Sequence, residues 1–282
     1  MPTADVNGTS LRYREDGEGD PVVLVHGSLG DLRSWKLQRD ALAKEYRVLS
    51  YSRRYHHPNP CHADEHNYSA VLHADDLMVL MDAREIESAL VVGSSYGAYT
   101  ALFLAWRHPE RVRAQVLSEP PVLPMLNELP QGDVVRREFL AQVWGPAGDA
   151  MANGQAEDGV RLFVDGLFGE GTLADMAEAD RQLVLDNACE FALETCDPAF
   201  WTTFSCADAG SVETPTLVLS GGRSRRMFQL IAEVLDRCLA DSTHVQIGHC
   251  SHDLPSEDPD AFRNVVLPFL HRYRDDRRAQ VG

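Results

Sequence analysis

Six short apolar runs, separated mostly by stretches of helical periodicity, constrain the fold of this chain more than any other feature. The first is Pro21–Val25, which is rich in β-branched residues and ends at His26 and Gly27. A continuous apolar run of this length is typical of a strand buried on both faces. The other runs are 46–50, 89–92, 114–118, 216–220 and 243–247.

Helical patterns lie between most of these runs. Apolar residues recur at three- and four-residue spacing in 67–83, 98–107, 227–239 and 258–272. Strands that alternate with helices predict an α/β fold, with a mostly parallel central sheet flanked by helices on both faces. Functional sites in such sheets form beyond the carboxyl ends of the strands.

One segment, residues 124–211, interrupts this alternation. It has no convincing strand, and its helix-like patches are 134–143, 158–167 and 176–193. We interpret it as a helical cap inserted into a core made of residues 1–123 and 212–282. The alternative is a set of packing helices with no role in a pocket. The charged end of the chain, 274–282, is expected to be frayed.

The composition is that of an ordinary globular protein, with 44% hydrophobic and 24% charged residues among 282. A net charge of −17 argues against a nucleic-acid partner, because phosphate binding needs clustered Lys and Arg. It also disfavours an anionic membrane surface. No apolar run approaches the roughly 18 residues of a membrane helix, and no basic and then apolar leader is present, so we expect a cytoplasmic protein. The sequence leaves a homodimer open.

The cysteines and histidines give no metal signature. The cysteines are scattered without a CxxC pair, which favours reduced thiols over a disulfide framework or a zinc site. The six are Cys61, Cys189, Cys196, Cys206, Cys238 and Cys250. No carboxylate or cysteine lies at a strict ligand spacing from the clustered histidines, so no metal is expected. Those histidines are His56, His57, His62 and His66.

A serine nucleophile is indicated by Gly93-Ser94-Ser95-Tyr96-Gly97, a G-x-S-x-G pattern directly between a predicted strand and a predicted helix. A sharp strand-to-helix turn strains its central serine, and small residues on either side let the neighbouring backbone approach. The turn exposes the Ser95 hydroxyl at the carboxyl edge of the sheet. Because the two glycines bracket Ser95 and not Ser94, we expect Ser94 to be structural.

With these motifs the chain resembles the α/β-hydrolase family, in the branch that carries a helical cap. The likeness extends from about residue 9 to residue 270. The motifs are the 26–30 loop, the turn around Ser95, and the ending 250–252 followed by Pro255, Glu257, Pro259 and Phe262. The resemblance implies the α/β-hydrolase fold and an oxyanion hole made by the backbone N–H groups of Ser28 and Tyr96. His26 is expected to be a scaffold for its loop.

Position selects the general base among eleven histidines. His252 follows the last predicted strand and precedes the final helix, and the residues after it match the family ending. His244 lies inside the predicted strand, and His249 would shift the ending by three residues. A base is needed because a serine hydroxyl stays protonated near neutral pH.

The acid departs from the family pattern. The family usually places an Asp in a G-x-x-D arrangement after the strand that corresponds to 216–220, where this chain has Ser224. Some relatives, including haloalkane dehalogenases, place the carboxylate at the end of the strand after the nucleophile's helix. Glu119 stands there, so the resemblance implies Glu119 as the acid; the alternative is a capping or loop carboxylate. Asp253 would point away, and Asp208 lies in the cap.

Substrate-binding residues are left open by the sequence. Arg53 matches a family arginine that is usually structural, whereas Arg54 and His56 replace glycines and belong either to a solvated loop or to a site for a substrate carboxylate. The aromatic residues of the cap fit either an apolar acyl pocket or simple core packing. They are Trp144, Phe163, Phe168, Phe200, Trp201 and Phe204.

These expectations combine into a serine hydrolase that cleaves carboxylic esters or lactones of a small-molecule substrate through an acyl-enzyme on Ser95, without a cofactor. A serine nucleophile argues against epoxide hydrolase and dehalogenase activity. Thioester or carbon–carbon bond hydrolysis with the same triad remains an alternative. A further alternative is a ligand-binding homologue that does not turn over, which is supported only by the missing Asp.

Overall fold

The computed structural model describes residues 1–61 and 68–275, in which eight strands form one sheet. The strands are β1 (Thr3–Val6), β2 (Thr9–Asp16), β3 (Pro21–Val25), β4 (Arg47–Tyr51), β5 (Ala89–Ser94), β6 (Val112–Ser118), β7 (Thr216–Gly221) and β8 (Ser242–Ile247). The helices before β6 and after β7 are α1 (Lys36–Leu42), α2 (Ala70–Ala83), α3 (Tyr96–Arg107), α11 (Arg226–Cys238), α12 (Leu254–Glu257) and α13 (Pro259–Arg272). The helices between β6 and β7 are α4 (Gly132–Phe139), α5 (Gly145–Ala152), α6 (Ala156–Phe168), α7 (Thr172–Asp175), α8 (Glu178–Asp186), α9 (Ala188–Cys196) and α10 (Cys206–Gly210).

The strand order is β1-β2-β4-β3-β5-β6-β7-β8, with β2 antiparallel to both of its neighbours and every other pair parallel. The mostly parallel sheet and the α/β-hydrolase fold expected from the sequence are confirmed. In the ladder, Ser118 pairs with Ser94 on one side and with Leu219 on the other. The ends of β5, β6 and β7 therefore lie side by side at one edge, where a site is expected.

The first two strands form a hairpin that the sequence analysis missed. Both alternate buried and exposed residues: in β2, Leu11 and Tyr13 are buried while Arg14 is exposed. A search for continuous apolar runs cannot find such strands, because an edge hairpin with one face to solvent has a period of two.

Of the predicted helix 67–83, Asn67 lies outside the described residues, as do His62 and His66.

Alternate residues of the central strands supply two separate cores. Val23 and Val25 of β3 face the core under α2, α3 and α11, whereas Val22 and Leu24 face the core shared with Trp35 and α13. All four β3 side chains are fully buried, and each contributes roughly 1.5–3 kcal/mol of transfer free energy. Burial on both faces explains why the strand is a continuous apolar run.

Between β6 and β7 the described chain contains helices and no strand, in agreement with the expectation for residues 124–211. The predicted helical stretch 176–193 is divided into α8 and α9, which meet at Asn187. These helices share one apolar cluster with the helices of the sheet. The division of the chain into a core and a separate cap therefore stays a prediction.

The expectation of reduced thiols is wrong for four of the six cysteines. Disulfides join Cys61 to Cys189 and Cys206 to Cys238. The partners are 128 and 32 residues apart, and only the fold brings them together, so sequence spacing could not reveal them. Within the two described ranges, each helix is too short or too polar to pass through a bilayer.

Candidate active site

Ser95 occupies a strained turn between β5 and α3. Its backbone has φ 52° and ψ −125°, a conformation that non-glycine residues rarely adopt. A Cβ on Gly93 would lie 2.5 Å from the Gly97 carbonyl oxygen, and a Cβ on Gly97 would overlap the carbonyl groups of Val25 and His26. Both glycines are therefore required by backbone packing around the serine, as the pattern predicted.

Replacing Gly97 by alanine is expected to lower the free energy of unfolding by about 3 kcal/mol or more, because the new methyl meets backbone atoms that cannot move aside. Gly148→Ala is the matched control: a Cβ there meets nothing nearer than a Thr195 carbon at 3.4 Å, and alanine favours the helix by about 1 kcal/mol. Urea unfolding measures both. Equal stability of the two variants would contradict the steric account of the turn.

Three side chains from distant parts of the chain meet at this turn. The Ser95 hydroxyl lies 3.0 Å from Nε2 of His252, and Nδ1 of His252 lies 2.6 Å from Oε2 of Glu119. A carboxylate at Nδ1 favours the tautomer whose Nε2 is free to accept the serine proton. The structure thus brings together Ser95, His252 and Glu119 in the order that a catalytic triad requires.

Glu119 lies just beyond β6, and its side chain is fully buried. Its second oxygen, Oε1, accepts a hydrogen bond from the N–H of Gly221 at the end of β7, at 2.6 Å. The carboxylate is therefore held at both oxygens. Ser224, at the position of the family's usual Asp, is nearly buried, and its hydroxyl has no hydrogen-bond partner in the described chain.

The other residues that the sequence offered as general base or acid make contacts elsewhere. His244 lies 2.8 Å from the Ser220 hydroxyl, and His249 lies 2.8 Å from a carboxylate oxygen of Asp258. Asp208 forms a capping box with Ser205 at the start of α10. None of these bonds joins the serine to a base.

The two predicted oxyanion donors lie on either side of Ser95. A Cβ on Gly27 would lie 2.8 Å from the Ser95 Cβ, so the loop that carries Ser28 packs directly against the nucleophile. Tyr96 is the first residue of α3, and the amides of a first helical turn have no partner within their own helix. The assignment of Ser28 and Tyr96 as donors stays a prediction that this placement supports.

His26 supports its loop from inside the protein. Its Nε2 accepts the N–H of Arg53 at 2.9 Å, and its Nδ1 lies 2.9 Å from the Gly27 carbonyl oxygen. Burial, aided by the Arg53 charge, lowers the pKa of His26 to about 3, so the imidazole stays neutral and Nδ1 donates. Nε of Arg53 also donates to the His26 carbonyl oxygen, at 3.1 Å.

Arg54 and His56 bond to other parts of the protein, and neither is among the described residues that line the cavity beside Ser95. Arg54 pairs with Asp76 through two hydrogen bonds of 2.7 and 2.8 Å. His56 is fully buried, and its Nδ1 lies 2.7 Å from the Gly30 carbonyl oxygen. Both residues serve the packing of the loop that follows β4.

A buried polar cluster that the sequence analysis did not anticipate lies beneath the same loop. Ligand atoms of His56, Glu190 and Glu194 lie within 4.8 Å of one another, a spacing that a metal ion could use. The Tyr68 hydroxyl, however, lies 2.9 Å from His56 Nε2, 2.7 Å from Glu194 and 3.2 Å from Glu190. The tyrosine oxygen fills the centre of the cluster, and Arg53 donates to it at 3.0 Å. The cluster is therefore better suited to hydrogen bonding than to metal binding.

His73 is buried beside this cluster, and neither of its ring nitrogens has a hydrogen-bond partner within the described ranges. Burial, and then the Arg53 charge, lowers the pKa of His73 well below its usual value. In the unfolded chain the His73 imidazole is protonated below about pH 6.5, whereas in the folded chain it stays neutral at that pH. The folded state therefore loses stability as the pH falls below about 6.5.

His73→Phe is therefore expected to raise the free energy of unfolding by about 1–3 kcal/mol at pH 8, because it removes an unpaired buried polar group. The gain grows by up to about 1.4 kcal/mol per pH unit below pH 6.5. Urea unfolding at pH 8 and pH 5.5 measures it. His249→Gln, at an exposed position, serves as the control. A gain that does not increase on acidification would contradict the burial of a neutral imidazole.

A cavity of about 550 Å³ opens onto the serine and the histidine. The part of its lining that comes from the segment between β6 and β7 is apolar except for Asp180. The apolar residues of that wall are Phe163, Val164, Leu167, Phe168, Met176, Leu183 and Val184. Of the six cap aromatics named from the sequence, Phe163 and Phe168 line the cavity. The other four pack against the apolar core without lining it.

The two cationic side chains of the lining, Arg33 and Lys36, do not offer a buried site for an anion. Arg33 is held by Asp31 at 2.6 Å and by Asp186 at 2.9 Å. Lys36 lies exposed to solvent. The arrangement suits a neutral, largely apolar ligand.

Known proteins resemble this chain over most of its length. The family model for the alpha/beta hydrolase fold matches residues 20–259. A 2-hydroxymuconate semialdehyde hydrolase from Pseudomonas sp. (strain CF600) is 28% identical over an alignment that covers 93% of this chain and 91% of the relative. An uncharacterized hydrolase from Bacillus subtilis (strain 168) is 35% identical over 133 residues, which cover 46% of this chain and 49% of the relative.

A solved structure supports the fold. The enol-lactonase from Burkholderia xenovorans LB400 superposes with a TM-score of 0.78 at 24% identity, covering 96% of this chain and 100% of that one. At this level of identity the likeness is one of fold alone.

Proposed function

The chain belongs to the α/β-hydrolase fold family and is a hydrolase, and we propose that it cleaves carboxylic esters or lactones through an acyl-enzyme on Ser95. One observation carries the proposal: the hydrogen bonds from Ser95 to His252 at 3.0 Å and from His252 to Glu119 at 2.6 Å. The spacing lets a proton leave the serine in the direction of the imidazole, which a hydroxyl nucleophile requires.

In the proposed reaction, Ser95 Oγ attacks the acyl carbon while its proton passes to Nε2 of His252. The imidazolium that forms is stabilised by the Glu119 carboxylate at Nδ1. Negative charge develops on the former carbonyl oxygen, where the N–H groups of Ser28 and Tyr96 would bind it. Each such donor is worth about 3–4 kcal/mol in the transition state.

Collapse of the tetrahedral intermediate breaks the bond to the alcohol oxygen, which takes the proton from His252. Water then attacks the acyl-enzyme, and His252 accepts the water's proton and returns it to Ser95. The free acid leaves and the starting state is restored. The side chains named here are sufficient for every proton transfer, so the proposed mechanism includes no cofactor.

The cavity wall supports substrates with an apolar part. A buried CH₂ group gains about 0.8 kcal/mol on leaving water, so each methylene that contacts the wall strengthens binding or transition-state contact. Activity on p-nitrophenyl esters tests the proposal. We expect kcat/KM to rise from the acetate to the butyrate and hexanoate. No hydrolysis of any ester in the series, by folded protein, would contradict the proposed activity.

Carbon–carbon bond hydrolysis with the same triad is the second candidate, and the Pseudomonas relative that spans nearly the whole chain is named as a 2-hydroxymuconate semialdehyde hydrolase. Within the described cavity lining, Arg33 is occupied by two carboxylates, which favours neutral substrates over anionic ones. Parallel assays with 2-hydroxymuconate semialdehyde and p-nitrophenyl butyrate separate the two. A higher kcat/KM for the semialdehyde would favour the second candidate.

Thioester hydrolysis with the same triad is tested by adding a butyryl thioester to the series. The non-catalytic alternative rested on the missing Asp after β7. The buried carboxylate of Glu119, which contacts His252, weakens that argument.

A further inference from the structure

The loop that carries Ser28 contains a strained residue. A hydrogen bond of 3.3 Å from the Gly30 N–H to the Gly27 carbonyl oxygen closes a turn over residues 27–30. Leu29, the third residue of that turn, has φ +54°. This is the left-handed region, which a turn of this kind normally fills with Gly or Asn, and a bulky residue there costs about 1–3 kcal/mol. Surrounding contacts must therefore hold Leu29 in place.

Two buried side chains, those of Glu190 and His56, hold the turn through hydrogen bonds to its backbone. The N–H of Leu29 donates to Oε1 of Glu190 at 2.5 Å, and the Gly30 carbonyl oxygen accepts from Nδ1 of His56 at 2.7 Å. Glu190 belongs to α9, 161 residues away in the chain, and its side chain is fully buried. The bond to Leu29 fixes the peptide plane between Ser28 and Leu29, which adjoins the predicted oxyanion donor.

The protonation of the cluster fits this arrangement. Burial and the neighbouring carboxylate of Glu194 raise the pKa of Glu190 well above its usual value. The carboxyl group can accept the hydrogen bond from Leu29 in either protonation state, so the bond does not depend on a charge on Glu190. Glu194 lies closer to the countercharge, with an oxygen 3.9 Å from a guanidinium nitrogen of Arg53.

We infer that Glu190 is a positioning residue for the oxyanion hole, acting through its hydrogen bond to the Leu29 N–H to keep the Ser28 N–H directed at the reacting oxygen. This inference rests on the proposed function and adds a role for α9 in it. The role requires an acceptor at the position of Oε1 and does not require a charge. A displacement of about 1 Å in a catalytic group can cost about 100-fold in rate, so the effect is measurable.

Three variants of Glu190 distinguish the effect of the position of the acceptor oxygen from the effect of the side-chain charge. Glu190→Gln keeps the acceptor without the charge, and its kcat on p-nitrophenyl butyrate is expected to stay within about threefold of the parent. Glu190→Asp keeps the acid but is one methylene shorter, and Glu190→Leu has no acceptor. For both, kcat is expected to fall about 10- to 100-fold with KM changed less than threefold.

A trifluoromethyl ketone provides a second readout, because its adduct with a serine carries an oxyanion. Its inhibition constant is expected to rise by the same factor by which kcat/KM falls in Glu190→Asp and Glu190→Leu. Thr195→Val is the control on the same helix, since among the described residues the Thr195 hydroxyl bonds only to carbonyl oxygens of its own helix, at 3.0 and 3.2 Å. The control should leave both quantities unchanged.

The result that overturns the inference is the reverse order: Glu190→Asp near the parent and Glu190→Gln impaired, which would mean that the charge matters. Equal activity of all the variants would also overturn it. If Glu190→Leu fails to fold, the comparison of Gln with Asp still decides. Failure of the proposed function is a separate outcome, because the parent protein itself would then hydrolyse no ester.

Discussion

Ser95→Ala is expected to lower kcat for ester hydrolysis by about 10⁴- to 10⁶-fold, because it removes the atom that forms the covalent bond. KM should change little, since the cavity wall lies elsewhere. Steady-state rates with p-nitrophenyl butyrate measure the effect. The free energy of unfolding is expected to stay within about 1 kcal/mol or to rise slightly, because the hydroxyl serves chemistry and not packing.

Ser94→Ala is the matched control, one residue earlier in the same turn. Ser94 lies at the end of β5 and is half-buried, and the bond to His252 is made by its neighbour Ser95. Its loss should cost less than about tenfold in kcat. Comparable losses in Ser94→Ala and Ser95→Ala, with both variants folded, would contradict the assignment of the nucleophile.

Glu119→Gln is expected to lower kcat by about 10⁴-fold while leaving the fold intact. The carboxamide oxygen can still accept the Gly221 N–H, so its NH₂ group then faces Nδ1 of His252. A donor at that position requires Nδ1 to be the acceptor and puts the ring proton on Nε2. Nε2 can then no longer accept the proton of Ser95.

The control for the acid is Ser224→Ala, at the position where the family usually has an Asp. Its hydroxyl lacks a hydrogen-bond partner within residues 1–61 and 68–275, so its removal should change kcat less than threefold. Rates at pH 8 compare the two variants. Equal, mild effects of Glu119→Gln and Ser224→Ala would dismiss Glu119 as the acid.

The sequence was sufficient to predict that Ser95, His252 and Glu119 lie together, because each of them is tied to a local pattern. Ser95 stands between a buried strand and a helix, and His252 follows the last strand. Glu119 was implied by the resemblance to relatives that place the carboxylate at the end of a neighbouring strand, once the usual Asp was found to be missing. Parallel strands end at one edge, so such residues meet whatever lies between them in the chain.

The buried support of the site could not be predicted in the same way. Glu190 and Leu29 are 161 residues apart, and α9 has no pattern that points to the loop after β3. From the sequence, Glu190 and Glu194 would be predicted to be exposed to solvent, because carboxylates are rarely buried. Only the packing of α9 in the fold shows that both are buried. The disulfides were missed for the same reason, since contacts between distant segments leave no local signal.

Reaction with a fluorophosphonate, followed by mass spectrometry, shows whether Ser95 is a nucleophile, since the reagent phosphonylates only a serine that has been activated. We expect one adduct per folded chain, on the peptide that contains Ser95. We also expect no adduct in Ser95→Ala or in urea-unfolded protein, and labelling at least 100-fold slower in His252→Ala. A folded parent chain that remains unlabelled, or that is labelled at another serine, would contradict this assignment.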